Sequence, residues 1–416
     1  MIALPANDDM KLLVFAHTPP PHHGQSYAVK LMLENFGGDR RKACLRHQPV
    51  NRFGVECYHV NAQFSRGLED IGVFQSMKLM RLIFHCLEAI WCRFRYGVEN
   101  FYYVPAPGKS IALYRDWLVM LLCRPFFKRI ILHWHAAGLA KWLETSASIR
   151  VRSYTYRRMH DADLSIVLSE FNRRDAEKLL ARRVSVVNGG IPDPCPDFRD
   201  LILPRRRERL AARQKLLGGA RSAATGGADT INVLFLAHCT RQKGVFDAVD
   251  AISIANWKLA EERLPLRFRL TLVGAFASAA EEQELRNVCN RADLKDVVDI
   301  LGFVSAERKA QALAEADVFC FPTYYLAENQ PGNLLEAMAF GLPSVVTRWR
   351  SVPEMLPAGY PGVVDPHSPG QVAEALRRMA VSDCAETLRE RFLERFTMEQ
   401  HIAEMARVIH DIERMA

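Results

Sequence analysis

Apolar and polar positions fall into alternating blocks along this chain. Short, continuous apolar runs are followed by longer stretches with a helical period. Runs at 11–16, 101–104, 129–132, 164–168 and 184–187 predict strands in the amino half, and they are mostly aliphatic or aromatic. Such runs suit strands buried on both faces. Helical periods lie between them at 27–34, through Leu122, and at 170–180. The carboxyl half repeats the pattern, with strands at 232–237, 269–273, 298–304, 316–323 and 344–347. Helices are expected there at 245–256 and 334–340, and a last helical period runs over 391–415. Strand, loop and helix in repetition predict parallel sheets in doubly wound α/β domains, whose ligands bind beyond the carboxyl ends of the strands. The stretch 193–229 is rich in Pro, Arg and Gly, and reads as a linker with a helix at 206–217 and an irregular turn at 218–227. The domains are therefore expected at 1–195 and 196–390, with a terminal helix, about 391–416, crossing back to the first.

Several loops after these strands carry candidate chemistry. The first strand leads into Gly24-Gln25-Ser26, where a glycine lets a backbone amide approach an anion closely. The run at 129–132 enters His133-Trp134-His135. Two histidines at i, i+2 would share a face if the strand continued, which is a start for a metal site. No further ligand stands at suitable spacing, so no metal is expected. His135, past the strand end, is the candidate for substrate, with a capped loop histidine as the plainer alternative; His133 reads as its structural neighbour. Asp161-Ala162-Asp163 looks like a metal-binding D-x-D motif, but it precedes a strand rather than following one, and is read as a turn.

Two segments of the carboxyl half point at a phosphate. His238-Cys239-Thr240-Arg241-Gln242-Lys243-Gly244 precedes a helix, so a mobile charge meets backbone amides at its N-terminus. Taken alone, Lys243 would be a solvated loop lysine. Downstream, Glu328 and Glu336 flank Asn329-Gln330-Pro331-Gly332-Asn333-Leu334-Leu335. Pro331 and Gly332 break the chain, Asn333 is expected to cap the helix, and Gly341 fits a left-handed C-terminal position with Pro343 beyond it. Glu336 would then sit in the first helical turn beside backbone N–H groups aimed toward the space Glu328 faces. Such a pocket can hold a diphosphate on the helix and sugar hydroxyls on a carboxylate. The bland alternative has Glu336 complementing the helix dipole and Glu328 solvated.

Composition narrows the field. A chain of 416 residues, 49% hydrophobic, can bury two cores. Its 10 cysteines are scattered without C-x-x-C pairs, which suggests a reducing cytosol. No signal peptide is read in Met1 to Met10, and the apolar run from Trp117 to Cys123 is far short of a membrane span. A net charge of +8 suggests an anionic partner: a nucleotide-sugar phosphate, an anionic membrane surface or nucleic acid. No nucleic-acid module is visible. Basic runs at 150–158 and 205–215 read as solvated faces or as membrane contacts. At 76–96, apolar residues interleave with Lys78, Arg81, Arg93 and Arg95; this is either an interfacial amphipathic helix or, more simply, a core helix.

The stretch from Glu328 to Pro343 resembles the E-x7-E signature of retaining glycosyltransferases of family four, with Gln330, Pro331, Glu336-Ala337-Met338-Ala339, Gly341 and Pro343 also matching. The resemblance implies a GT-B fold, two Rossmann-like domains facing across a cleft. It implies that Glu328 contacts the donor sugar, Glu336 the ribose, and His135 the sugar near O6. Lys243 and Gly244 match the family's diphosphate site; the Arg usual five residues earlier is His238, so Arg241 is expected to supply that charge. Gly24 matches the glycine loop after the first strand, Gly274 resembles the glycine turn after the second strand of the second domain, and Asn333 and Leu334 offer amides at the helix start. Asn329 stands where Gly is usual, tolerable because Asn accepts positive φ. The implied activity is a cytoplasmic, metal-independent, cofactor-free hexosyltransferase, peripheral at the inner membrane face. It would move sugar from a nucleotide-diphosphate donor to a glycan or lipid-linked acceptor of polysaccharide or lipopolysaccharide assembly. A sugar-nucleotide 2-epimerase of the same fold, or a silent relative, remains the alternative, given Asn329 and His238.

Overall fold

The computed structural model describes residues 9–20, 24–42, 52–63, 76–106, 108, 110–217 and 229–412. The expected turn at 218–227 and the residues before Asp9 lie outside this set. The chain divides into two compact units, 1–189 with 399–416, and 190–398. The first boundary thus falls after Gly189 rather than 195.

Among the described residues of the first unit, β1 (Met10–Ala16), β2 (Val55–Asn61), β3 (Asn100–Tyr103), β4 (Arg129–Trp134), β5 (Leu164–Val167) and β6 (Val184–Val186) form a parallel sheet in the order β2-β1-β3-β4-β5-β6. The second unit repeats the plan with β7 (Thr230–Leu236), β8 (Arg267–Val273), β9 (Val298–Gly302), β10 (Val318–Phe321), β11 (Ser344–Thr347) and β12 (Val363–Val364), ordered β12-β11-β10-β7-β8-β9. Each sheet is covered by helices joining successive strands, and β1, β3, β5 and β10 are almost wholly buried. Two Rossmann-like domains of the GT-B kind result.

Three expectations are corrected. The last helical period is two helices, Ala385–Arg395 and Met398–His410. The break arises because backbone bonds are diverted to Ile191: its N–H donates to Phe396 O (3.0 Å), and Met398 N–H donates to its carbonyl (2.9 Å). Only the second helix belongs to the first unit, where His401 Nδ1 lies 2.7 Å from Asn188 O and Arg183 pairs with Asp411 at 2.9 Å.

The basic run at 205–215 is only half solvated: Arg205, Arg207 and Lys215 are exposed, whereas Arg206, Arg209 and Arg213 turn inward. It lies in the helix Leu203–Leu217, where Arg206 donates to the carbonyls of Leu313, Ala316 and Phe340 at 2.7–3.0 Å. Arg209 and Arg213 both pair with the buried Asp317, at 2.6 and 2.5 Å. Burial pulls the Arg206 guanidinium down to about 10. These arginines fasten the helix to the sheet behind it.

The helix Ser76–Tyr96 has the length expected, but it is more than a core helix. Leu82, Cys86, Ala89 and Cys92 enter the core, while its opposite face is apolar and exposed.

Candidate functional site

In the second unit the loops after β7 and β10 lock together. Arg241–Lys243 forms one 3-10 turn, and Gly244 follows in the left-handed region (φ 83°) before the helix Val245–Glu261. A Cβ there would collide with Pro322 O. The close approach is held by Tyr324 N–H donating to Gln242 O at 2.8 Å. Glycine at 244 is therefore what lets the two loops meet. Gly274 (φ 148°) serves similarly at the end of β8, because a Cβ would strike Ala237 O under the loop that carries His238. The structure accounts for Gly274 through this backbone crossing.

The crossing brings Lys243 Nζ to 2.7 Å from Glu328 Oε2. Thr323 Oγ1 donates to the same oxygen at 3.0 Å. The ammonium lies 4.7 Å from the Tyr325 ring centre and 5.5 Å from that of Phe321, so it is held by a carboxylate and two aromatic faces. Glu328 is only 6% exposed; it is not a solvated loop acid. Burial, with the nearby Glu328 charge adding to it, pushes the Tyr325 hydroxyl pKa up, so Tyr325 stays a neutral wall of the site.

The helix Gly332–Ala339 corrects the expected cap. Pro331 occupies the N-cap, and Asn333 lies inside the first turn with its amide donating to Leu236 O at the end of β7. Leu334 is buried, and its N–H is used by Pro331 O (3.1 Å) and Asn333 Oδ1 (2.9 Å). The amides at the exposed tip are thus those of Gly332 and Asn333, and a Cβ on Gly332 would meet nothing within 4 Å. Glu336 lies two residues further from the helix start than expected, past the first turn, and is bonded to Lys309 Nζ from the helix Ala306–Glu315.

Asn329 does not adopt positive φ, so the turn needs no glycine. Its Oδ1 accepts from Ser351 Oγ at 2.9 Å. Arg241 does not turn toward Lys243; it pairs with Glu284 at 2.6 Å and stacks on Phe246 at 4.0 Å. His238 is exposed on the same loop.

In the first unit β4 runs through Trp134, two residues beyond the expected end, so His133 is a strand residue. Its ring lies 4.2 Å from that of His135 and 6.2 Å from that of His401, and its Nδ1 is 2.6 Å from Tyr102 Oη. Burial, with His135 and His401 nearby, lowers the His133 pKa well below the ordinary range. Among the described residues no group of His, Cys, Asp and Glu is arranged to hold a metal. His135 is half-buried beyond the strand. Its loop is clamped by Asp175, which accepts from the N–H groups of Gly138 (2.7 Å) and Ala140 (2.6 Å). Gly24 opens the helix Gly24–Asn35 with clear space beside it. Asp161 and Asp163 both bind Arg182, at 2.8 and 3.1 Å, and Asp163, at a bend, accepts from Ile130 N–H at 2.8 Å.

Lys309, Thr323, Tyr325 and Asp175 were not singled out in the sequence. No spacing marks them: Lys309 and Asp175 are each one of several charges on short helices, and the site contacts they make lie 27 and 35–37 residues away.

Residues 230–381 match the family model described as glycosyl transferases group 1. WcaL of Escherichia coli, a glycosyltransferase assigned to colanic acid biosynthesis, is 30% identical over 145 residues, 34% of each chain. The amylovoran biosynthesis glycosyltransferase AmsK of Erwinia amylovora is 29% identical over 150 residues, 35% of each chain. The matched stretch spans about a third of the length of these curated relatives. Among solved structures, sucrose-phosphate synthase from Thermosynechococcus elongatus superposes with a TM-score of 0.63 at 16% identity, covering 98% of this chain and 100% of that one. Anabaena HepE, in complex with UDP and glucose, gives 0.59 at 16% identity, covering 96% and 99%.

Proposed function

We propose, from a chain whose residues 230–381 form a group 1 glycosyltransferase domain, that this protein is a retaining, metal-independent hexosyltransferase using a nucleotide-diphosphate sugar. One observation carries the reading: Lys243 and Glu328 meet at 2.7 Å, and the helix that opens at the exposed Gly332, four residues after Glu328, is tied through Asn333 to Leu236 at the end of β7. A diphosphate placed there exchanges Lys243's carboxylate partner for phosphate oxygens, and the released Glu328 accepts from sugar hydroxyls. Glu336 exchanges Lys309 for the ribose hydroxyls in the same way. HepE, solved with UDP and glucose, supports a uridine diphosphate sugar as the first donor to try.

Chemistry then follows from charge. The bond between the sugar's anomeric carbon and the phosphate oxygen breaks, and the acceptor hydroxyl oxygen bonds to the same face of that carbon. The hydroxyl proton passes to the departing phosphate. Lys243 and the amides of Gly332 and Asn333 stabilise the charge growing on the diphosphate, an electrostatic contribution fixed before reaction. In the first unit His135 is the candidate substrate contact. AmsK and WcaL, named for amylovoran and colanic acid, support a role in polysaccharide assembly; the acceptor we propose is a lipid-linked polysaccharide or lipopolysaccharide precursor.

Purified protein incubated with nucleotide sugars and lipid-linked acceptors tests this. Release of nucleoside diphosphate that depends on acceptor is expected. A changed sugar still attached to its nucleotide would mean epimerisation, and no donor binding at all would mean a silent relative.

A further inference from the structure

Along the helix Ser76–Tyr96, Met77, Met80, Phe84, Leu87, Trp91 and Phe94 are exposed, at spacings of 3, 4, 3, 4 and 3 residues. That spacing keeps all six in one stripe, about 26 Å long at 1.5 Å per residue. Phe84 and Phe94 are 65% and 68% exposed and Trp91 54%. Phe126, also exposed, extends the patch, with its ring 6.1 Å from that of Phe94. The opposite face of the helix is committed to the core through Leu82, Cys86, Ala89 and Cys92. The stripe is therefore surplus to folding, and a contiguous apolar face of this size marks a contact surface.

Charge selects the occupant. The helix carries four basic residues, Lys78, Arg81, Arg93 and Arg95, and one acid, Glu88. Glu88 is already bound to Arg41 at 2.6 Å, and Arg93 turns inward to Phe126 O at 2.9 Å and Glu99 at 3.2 Å. Arg81 and Arg95 flank the stripe on one side by helical position. A second copy packed antiparallel on the stripe would bring the same cations against one another along one edge. An anionic lipid surface attracts them and accepts the aromatic side chains between headgroups and acyl chains. No described helix is long and apolar enough to cross a membrane, so the helix would lie in the surface.

We propose that this stripe is a membrane-docking face, inserting Phe84, Leu87, Trp91 and Phe94 into an anionic leaflet with Arg81 and Arg95 on phosphate groups. The proposal rests on the transferase reading only in that a lipid-linked acceptor would be met there.

Flotation of the full chain with vesicles of phosphatidylglycerol and phosphatidylcholine, against vesicles of phosphatidylcholine alone, tests it without donor or acceptor. A failure here leaves the transfer assay untouched, and the reverse holds as well. Binding to the anionic vesicles, weakened by salt, is expected. F84E/L87E should reduce it roughly a hundredfold and R81E/R95E at least about tenfold, with circular dichroism and melting unchanged because these side chains are solvent-facing. Absence of binding to either vesicle, or binding indifferent to F84E/L87E, overturns the proposal. A concentration-dependent dimer dissolved by F84E/L87E, without vesicle binding, would assign the face to a second copy instead.

Discussion

Lys243 and Glu328 neutralise each other across 2.7 Å, although they come from loops 85 residues apart. In the proposed reading this preformed pair is the phosphate-binding cation and the sugar-binding carboxylate, and a donor would displace both. Both side chains are largely buried, so the pair is fully made only while both partners are present.

Replacing Lys243 with Ala should lower turnover at least about tenfold, the loss of one charge-assisted contact in the transition state. It also leaves the buried Glu328 carboxylate without its cation, with the Thr323 hydroxyl still donating to it, costing about 3 kcal/mol in denaturant unfolding. K243M/E328Q should recover most of that stability and none of the turnover. Normal rates in K243A would refute the assignment.

Glu336 and Lys309 should respond in opposite directions. E336A is expected to weaken nucleoside-diphosphate binding about tenfold in calorimetry. K309M frees Glu336 from a partly exposed pair worth up to about 1 kcal/mol, so the same titration should tighten by up to about fivefold. Weaker binding in K309M would instead make Lys309 a ligand contact.

Acid should loosen the first unit specifically. Burial lowers the pKa values of His59, His133 and His401. The unfolded chain, with ordinary histidines near about 6.5, binds more protons than the folded one below that pH. Stability is thus full above about pH 6.5 and falls as pH drops toward the lowered folded values, by about 1.4 kcal/mol per pH unit for each histidine. Hydrogen exchange against pH checks it, and H133F should flatten part of the slope. An unchanged slope would exclude His133 as the source.

Turnover should persist in excess EDTA, with Lys243 and the Gly332 amides supplying the positive charge at the diphosphate. Complete loss, restored by magnesium, would reject that mechanism.

Much of the fold was legible because periodicity records burial: the strand at 344–347 and the helix at 76–96 have the bounds their apolar patterns predict. The break at Phe396–Thr397 was not, since the competing hydrogen bonds come from Ile191, some two hundred residues earlier. In the candidate site, Lys243, Glu328 and Glu336 were singled out through motif spacing, and the structure joins Lys243 to Glu328. Lys309 was invisible because a lysine on an amphipathic helix reads as solvated until its partner is placed. Asn333 misled for a related reason: its Nδ2 is tied to the carbonyl of Leu236, and its Oδ1 accepts from the adjacent Leu334 N–H while the residue sits inside the first turn rather than at the cap.

Asp317 receives two arginines, and Arg206 spends its guanidinium on three carbonyls. A tally of lysines and arginines consequently overstates how strongly this molecule pulls on anything outside itself. Variants of those inward arginines should show up in melting curves, and it is the few cations bordering Phe84 and Phe94 whose replacement should be felt by a negatively charged environment.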